Sequence, residues 1–144
     1  MPYPDFFVAP MREELTRLGV EELRTAADVD SAVANTPGTL MIMVNSVCGC
    51  AAGKARPGLA QALRHQTRPG RLASVFAGFD DEATARARGY FVGRPPSSPS
   101  IALLRAGKLV YMLERPQIEI RSAEQIASEL TAAFDRFCGA PVLS

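Results

Sequence analysis

Apolar residues fall along this chain in short runs punctuated by Gly and Pro, and the spacing within the runs alternates between two kinds. Glu13 and Glu14 lie early in the stretch from Pro10 to Leu18, and Gly19 follows it. That order predicts a short helix with Pro10 in its first turn. Thr25 followed by Asp28 marks the start of a second helix near Ala26 to Asn35, which ends before the turn pair Pro37 and Gly38. The segment Thr39 to Asn45 (TLMIMVN) is apolar at successive positions, as in a strand buried on both faces. From Gly49 the run is rich in Ala, Leu, Gln, Lys and Arg, predicting a helix to about Gln66 that Pro57 kinks. After the turn at Pro69 and Gly70, Leu72 to Ala77 reads as a second buried strand. Asp80 then stands as the N-cap of a helix over Asp81 to Tyr90, acidic first and with Arg86 and Arg88 late. Gly93 to Ser98 is a Pro/Ser loop. Ser100 to Arg105 and Lys108 to Glu114 flank Ala106 and Gly107, the pattern of a tight hairpin. Ser122 opens a last helix in which Ile126, Leu130, Ala133, Phe134 and Phe137 share one face, closing at Cys138.

The chain has 144 residues, 47% hydrophobic and 22% charged, and a formal net charge of +1. This length predicts one compact domain over 1–144, with residues 1–38 as an N-terminal helical extension and 39–138 as the core. The balanced charge disfavours a nucleic-acid partner or an anionic membrane surface. The longest aliphatic run, Leu40 to Val44, is far short of the roughly 20 apolar residues of a spanning helix. The first residues lack both a basic and an extended apolar region, so the expected location is cytoplasmic. In that reducing compartment cysteines are more often redox-active or metal-binding than structural disulfides.

From Thr39 onward the order is strand, helix, strand, helix, strand, strand, helix. It describes a parallel pair followed by a hairpin, with helices covering a mixed four-stranded sheet. This is the βαβαββα order of the minimal thioredoxin-like α/β core. In that fold a reactive dithiol sits between the first core strand and the next helix, where Cys48 and Cys50 flank Gly49. The same fold carries a cis proline at the start of the first hairpin strand, opposite the dithiol. Ser98-Pro99 is therefore expected to be cis, because only X-Pro bonds adopt that form cheaply.

A thiol at the first turn of a helix faces unpaired N–H groups and the positive end of the helix dipole, which favours thiolate. Cys48 is placed to attack a disulfide and Cys50 to resolve the mixed disulfide that results. With one intervening residue the oxidised ring is small and strained, and Gly49 relaxes the backbone. Lys54 and Arg56 follow within two turns and are candidates to raise thiolate character, or simply a solvated pair. Other readings of the cysteines exist. Cys48, Cys50, Cys138 and His65 compose a Cys3His donor set, though a C-x-C without a second clustered pair is a weak zinc signature. A metal-binding or redox-sensing module without enzymatic activity is thus the alternative to an oxidoreductase, and an inert buried pair is the simplest reading. A cysteine hydrolase is disfavoured, because His65 lies more than four helical turns beyond Cys48. Cys138 falls beside Phe134 and Phe137 and reads as core filler.

The residues NSVCGCAAGKARP (Asn45 to Pro57) resemble the bacilliredoxin family, small cytoplasmic thioredoxin-fold proteins with a C-G-C dithiol. The resemblance extends to Val75–Phe91, to PPSSPSIALL (Pro95 to Leu104), to LTAAFDRFC (Leu130 to Cys138) and to the PMREELTRLG opening. Phe79 and Ile120 depart from the family pattern, and neither touches the dithiol. The resemblance implies thiol-disulfide exchange on client proteins S-thiolated by the low-molecular-weight thiol bacillithiol. It implies Cys48 as nucleophile, Cys50 as resolving thiol and no metal or other cofactor beyond the thiol co-substrate. Gly49, Ser98 and Pro99 would meet the substrate. A dedicated reductase is a further possible partner, and weak disulfide isomerase or reductase activity would follow from the same exchange steps.

Overall fold

The computed structural model describes residues 4–139. Helix α1 (Asp5–Thr16) leads into a two-residue strand β1 (Glu21–Glu22) and helix α2 (Ala26–Ala34). Strand β2 (Thr39–Asn45) is followed by a π-helical turn over Ala51–Ala55 that continues as α3 (Arg56–Ala62), and then by β3 (Arg71–Phe76) and α4 (Asp81–Tyr90). The hairpin β4 (Ser100–Arg105) and β5 (Lys108–Leu113) precedes a short helix α5 (Arg115–Glu119) and the long α6 (Ala123–Phe137). The strands form one mixed sheet in the order β1-β3-β2-β4-β5. The β1-β3 and β3-β2 pairs are parallel, and the β2-β4 and β4-β5 pairs are antiparallel.

All seven residues of β2 are buried, as its unbroken apolar run requires. The two-residue period of a strand divides them. Met41 and Met43 join Leu15, Leu59, Leu103, Ile126, Leu130 and Phe134 on the face covered by α1, α3 and α6. Leu40, Ile42 and Val44 join Val29, Ala83, Ala87 and Phe91 on the face covered by α2 and α4. Local signals behave as expected at two helix starts, where Thr25 with Asp28 and Ser122 with Gln125 both form reciprocal capping boxes. The hairpin turn holds Ala106 at φ 51° and Gly107 at φ 78°, the paired left-handed residues that match the twist of the flanking strands.

Five expectations need correction. The sheet has five strands, not four, because Glu21 and Glu22 pair with Ala73 and Ser74. A two-residue acidic strand has no apolar alternation to reveal it. Its place is fixed by main-chain pairing and by Arg71, whose Nη2 lies 2.8 and 3.0 Å from the Glu21 carboxylate oxygens. The first 38 residues are therefore not purely helical. Pro10 lies in the middle of α1 rather than in its first turn, since the helix starts at Asp5. The helix after the dithiol ends at Ala62 instead of Gln66; Pro57 lies inside the continuous helical stretch, just past the point where the π-helical turn gives way to α3, and its missing N–H removes one intrahelical donor there. Asp80 precedes α4 but its side chain caps no N–H; it is held by Arg12 at 2.8 Å and Arg24 at 3.2 Å.

Helices α3 and α6 touch at Gly58, where an added Cβ would lie 2.6 Å from Ile126 Cγ2, 2.9 Å from Ile126 Cβ and 3.1 Å from the Ala123 carbonyl oxygen. Overpacking against a branched carbon and a backbone oxygen falls at the upper end of about 1–3 kcal/mol, exceeding the ~1 kcal/mol that Ala gains over Gly in a helix. Gly58→Ala is expected to lower unfolding stability by about 1–2 kcal/mol in urea denaturation. An unchanged midpoint would mean that α6 shifts without cost.

Candidate active site

The sheet register gathers the site at one end. β2 finishes at Asn45, Val44 pairs with Ser100 at the start of β4, and Ile101 pairs with Leu113 at the end of β5. The loop carrying Cys48, the Ser98-Pro99 loop and Arg115 therefore emerge from neighbouring strand ends. The Ser98-Pro99 peptide bond is cis and Pro99 is buried.

The loop after β2 is built on a buried guanidinium. Arg56 is only 3% exposed. Its Nε donates to Glu14 Oε2 at 2.7 Å, and its Nη1 donates to Asn45 Oδ1 and to the Ser46 carbonyl oxygen, both at 2.9 Å. Asn45 Oδ1 also accepts from the Ser46 N–H at 2.9 Å, and Asn45 Nδ2 donates to the Met11 carbonyl oxygen at 3.3 Å. Ser46 Oγ in turn accepts the Cys48 N–H at 3.2 Å. Helix α1 is thus joined to the active-site loop through Glu14 and Met11.

Cys48 is partly exposed immediately before the helical stretch that starts at Gly49, and the N–H groups of Ala51 and Ala52 both donate to its carbonyl oxygen at 3.1 Å. All three cysteines are free thiols. Burial pushes the Cys48 thiol up, but hydrogen bonds from the Ser46 hydroxyl and the Ala51 and Cys50 backbone N–H groups, with the charge of Arg115, outweigh it. The net result holds Cys48 below the ordinary thiol range. Cys50 is half-buried against the core face that contains Leu59 and Ile126. Gly49 is exposed, and a Cβ placed there would meet nothing within 4 Å, so its surface is open to an approaching partner.

Arg115 was not legible as a site residue. It belongs to α5, an unanticipated helix whose N-cap Glu114 forms a capping box with Gln117. Arg115 Nη1 donates to the Ser98 carbonyl oxygen at 3.1 Å and its N–H donates to Ser97 Oγ at 3.4 Å, joining α5 to the cis-proline loop. The hairpin register is the signal that finds it: extending the Leu113–Ile101 pair by two residues sets Arg115 opposite Pro99. The two basic residues singled out beside the dithiol act elsewhere. Lys54 Nζ donates to the Glu119 carbonyl oxygen, and Arg56 organises the loop beneath Cys48.

Cys138 stands apart. Burial raises its thiol above the ordinary value despite a hydrogen bond from Thr39 and the charge of Arg105. Thr39 and Arg105 pair at the opposite end of the sheet from Asn45, about 20 Å away for six residues of strand. Cys138 is partly buried and packs with Phe137 against the margin of the core. His65 Nε2 lies 2.8 Å from Asp135 Oδ1, and among the described residues no group of three potential ligands joins it to Cys48, Cys50 or Cys138. Among the described residues no three His, Cys, Asp or Glu side chains are grouped closely enough to hold a metal ion.

Residues 3–138 match the model of a family described as disulphide isomerase. The chain is 63% identical over 138 residues to a bacilliredoxin from Koribacter versatilis, covering 96% of this chain and 95% of that protein. It is 50% identical over 143 residues to a bacilliredoxin from Geobacillus kaustophilus, covering 96% and 99%. Among solved structures, the oxidised thioredoxin from Plasmodium falciparum superposes with a TM-score of 0.58 at 15% identity, covering 83% of this chain and 99% of that one. The thioredoxin of Malassezia sympodialis has the same TM-score and identity, with coverage of 83% and 91%. At 15% identity these last two establish the thioredoxin-like fold, while the near full-length relatives go further. This chain belongs to the bacilliredoxin family and is a thiol-disulfide oxidoreductase.

Proposed function

We propose that this oxidoreductase removes bacillithiol from mixed disulfides on client proteins, with Cys48 as nucleophile and Cys50 as resolving thiol. The observation that carries the assignment is placement: Cys48 lies partly exposed just before the helical stretch that follows β2, beside Ser46 and the Ser98-Pro99 end of the sheet, whereas Cys138 follows the C-terminal end of α6 at the opposite end, and the direction of each thiol's pKa agrees. The Cys48 thiolate attacks the bacillithiol sulfur of the client mixed disulfide. A Cys48–bacillithiol disulfide forms, the client sulfur leaves as thiolate and takes a proton, and the client is reduced. Cys50, as thiolate, then attacks Cys48 Sγ, giving an internal Cys48–Cys50 disulfide and releasing bacillithiol. Two further molecules of a monothiol, leaving together as their disulfide, or one dithiol reductase supply the two electrons that restore the reduced pair. A second bacillithiol attacking the adduct directly reaches the same end without the internal disulfide.

The support for bacillithiol as the thiol is the resemblance of Asn45 to Pro57 to the family motif and the names of the near full-length relatives. The exposed face of Gly49 and the Ser98-Pro99 loop are the surfaces we assign to the incoming disulfide. No metal or other cofactor enters these steps, and the reducing cytoplasm is the compartment that suits them. No helix among the described residues is long and apolar enough to cross a membrane. With a client's own disulfide in place of the mixed one, the same attack gives isomerase or reductase chemistry, in keeping with the description of the matching family.

Two outcomes are expected. Intact-mass measurement of the Cys50→Ser chain after mixing with a bacillithiol-capped client should show one bacillithiol on Cys48, with a glutathione-capped client in parallel. Cys48→Ser should abolish transfer. Equal transfer from both clients would overturn the choice of bacillithiol, and transfer from neither would overturn the exchange reading. In iodoacetamide labelling across pH, Cys48 should react at lower pH than Cys138, since a depressed pKa leaves more thiolate at any pH below the ordinary thiol range. Ser46→Ala, which removes one of the hydrogen bonds to the sulfur, should move the Cys48 profile to higher pH while leaving that of Cys138 unchanged.

A further inference from the structure

Arg115 is a partly exposed cation at the dithiol end of the sheet, and it is bonded directly to the cis-proline loop. Its side chain is 41% exposed, whereas that of Arg56 is 3% exposed and engaged with Glu14, Asn45 and Ser46. It is also fixed. Nη1 is bonded to the Ser98 carbonyl oxygen, immediately before the cis bond to Pro99, and the backbone N–H to Ser97 Oγ. Its remaining charged contact is informative: Nε faces Glu119 Oε2 at 3.5 Å, a separation too long for a strong charge-assisted hydrogen bond. A carboxylate thus already rests against the guanidinium, loosely, on a side chain that is itself 47% exposed. A planar guanidinium fork suits the two oxygens of a carboxylate better than a point charge does.

We propose that Arg115 determines substrate choice at this site, its guanidinium binding a carboxylate on the small thiol of the mixed disulfide, in place of Glu119, while Cys48 attacks that thiol's sulfur. This inference rests on the exchange reading above. Carboxylate-bearing thiols are selected over neutral ones, and Glu119 is the internal competitor that keeps Arg115 orientated between turnovers. The bonds made and broken at sulfur are those already described. The carboxylate contact contributes only binding and orientation.

The test uses the full chain carrying Cys50→Ser, so that the adduct on Cys48 accumulates. The probes are one single-cysteine peptide capped as a mixed disulfide with 3-mercaptopropionate or with its amide isostere, 3-mercaptopropionamide. Rates of adduct formation are read by intact mass. The carboxylate cap should transfer about tenfold faster than the amide, as expected for one charge-assisted contact weakened by solvent exposure. Arg115→Gln should bring the ratio of the two rates close to one, and Glu119→Gln should raise it. Arg115 also acts on the Cys48 thiol, so its loss slows both caps, and the ratio isolates recognition. Should Arg115→Gln not fold, the parent ratio decides, together with its decline as salt screens the pair. Equal rates in the parent chain, or a preference that survives Arg115→Gln or is indifferent to salt, overturn this inference alone. Transfer of neither cap overturns the exchange reading and this inference with it.

Discussion

A buried guanidinium must find partners for its charge and its N–H groups or it destabilises the fold around it. Arg56 finds three, and they lie on two separate pieces of chain: Glu14 on α1, and Asn45 at the end of β2 with the adjoining Ser46 carbonyl oxygen. The arginine stands fewer than two turns past Cys50 on the same helical stretch, so satisfying it draws the loop and the helix start together. That sets the height and direction of the segment from Asn45 to Cys48 before any substrate arrives. The N-terminal helix is consequently a part of the site's foundation. Its Met11 carbonyl oxygen and Glu14 carboxylate bind that same network, and its Arg12 bonds Asp80 and stacks on the Phe76 ring at 5.0 Å.

Once the loop is placed, the reactivity of Cys48 is a local balance of burial against donors. Burial favours the thiol; the Ser46 hydroxyl, two backbone N–H groups and the Arg115 charge favour the thiolate and prevail. Cys138 shows the same residue type under the opposite balance. It stands at the C-terminal end of α6, where unpaired carbonyl oxygens disfavour negative charge, and burial dominates. The position of a thiol relative to helix ends and polar neighbours therefore separates the directions in which the two pKa values move, and the separation needs no difference in residue type.

The parts of the fold that the sequence made legible are those whose signal is local. The buried run of β2, the capping pairs Thr25–Asp28 and Ser122–Gln125, the hairpin turn at Ala106 and Gly107 and the period of α6 each depend on residues within a few positions of one another. What escaped depends on distant partners. β1 exists because β3 offers it a parallel edge, and Asp80 leaves its capping role because Arg12 and Arg24 arrive from elsewhere in the chain. At the site the same rule holds. The dithiol was legible as a motif, whereas Arg115 sits 67 residues from Cys48 and is brought to it by the hairpin register. Arg56 drew notice as a charge near the cysteines, and only its burial shows that it supports the loop.

The geometry divides the work between two halves of the chain. The first half, through β2 and the helix after it, supplies Cys48 and the hydrogen-bond donors that lower its pKa; the hairpin half supplies the Ser98-Pro99 loop and the arginine that joins it and adds its charge. This division has a consequence for the order of events on the proposed pathway. The positive charge of Arg115 favours ionisation of Cys48, so a Cys48 thiolate poised to attack is one negative charge the guanidinium faces, and the Glu119 carboxylate is another. When Cys48 attacks, its charge passes to the departing client sulfur, and the sulfur that remains at the site is neutral in its new disulfide. The guanidinium loses a partner at the moment the small thiol becomes bound to the protein, so a carboxylate on that thiol gains hold as the client is released. Retention of the cap and release of the client are thereby favoured by the same transfer of charge, with no movement of the backbone required.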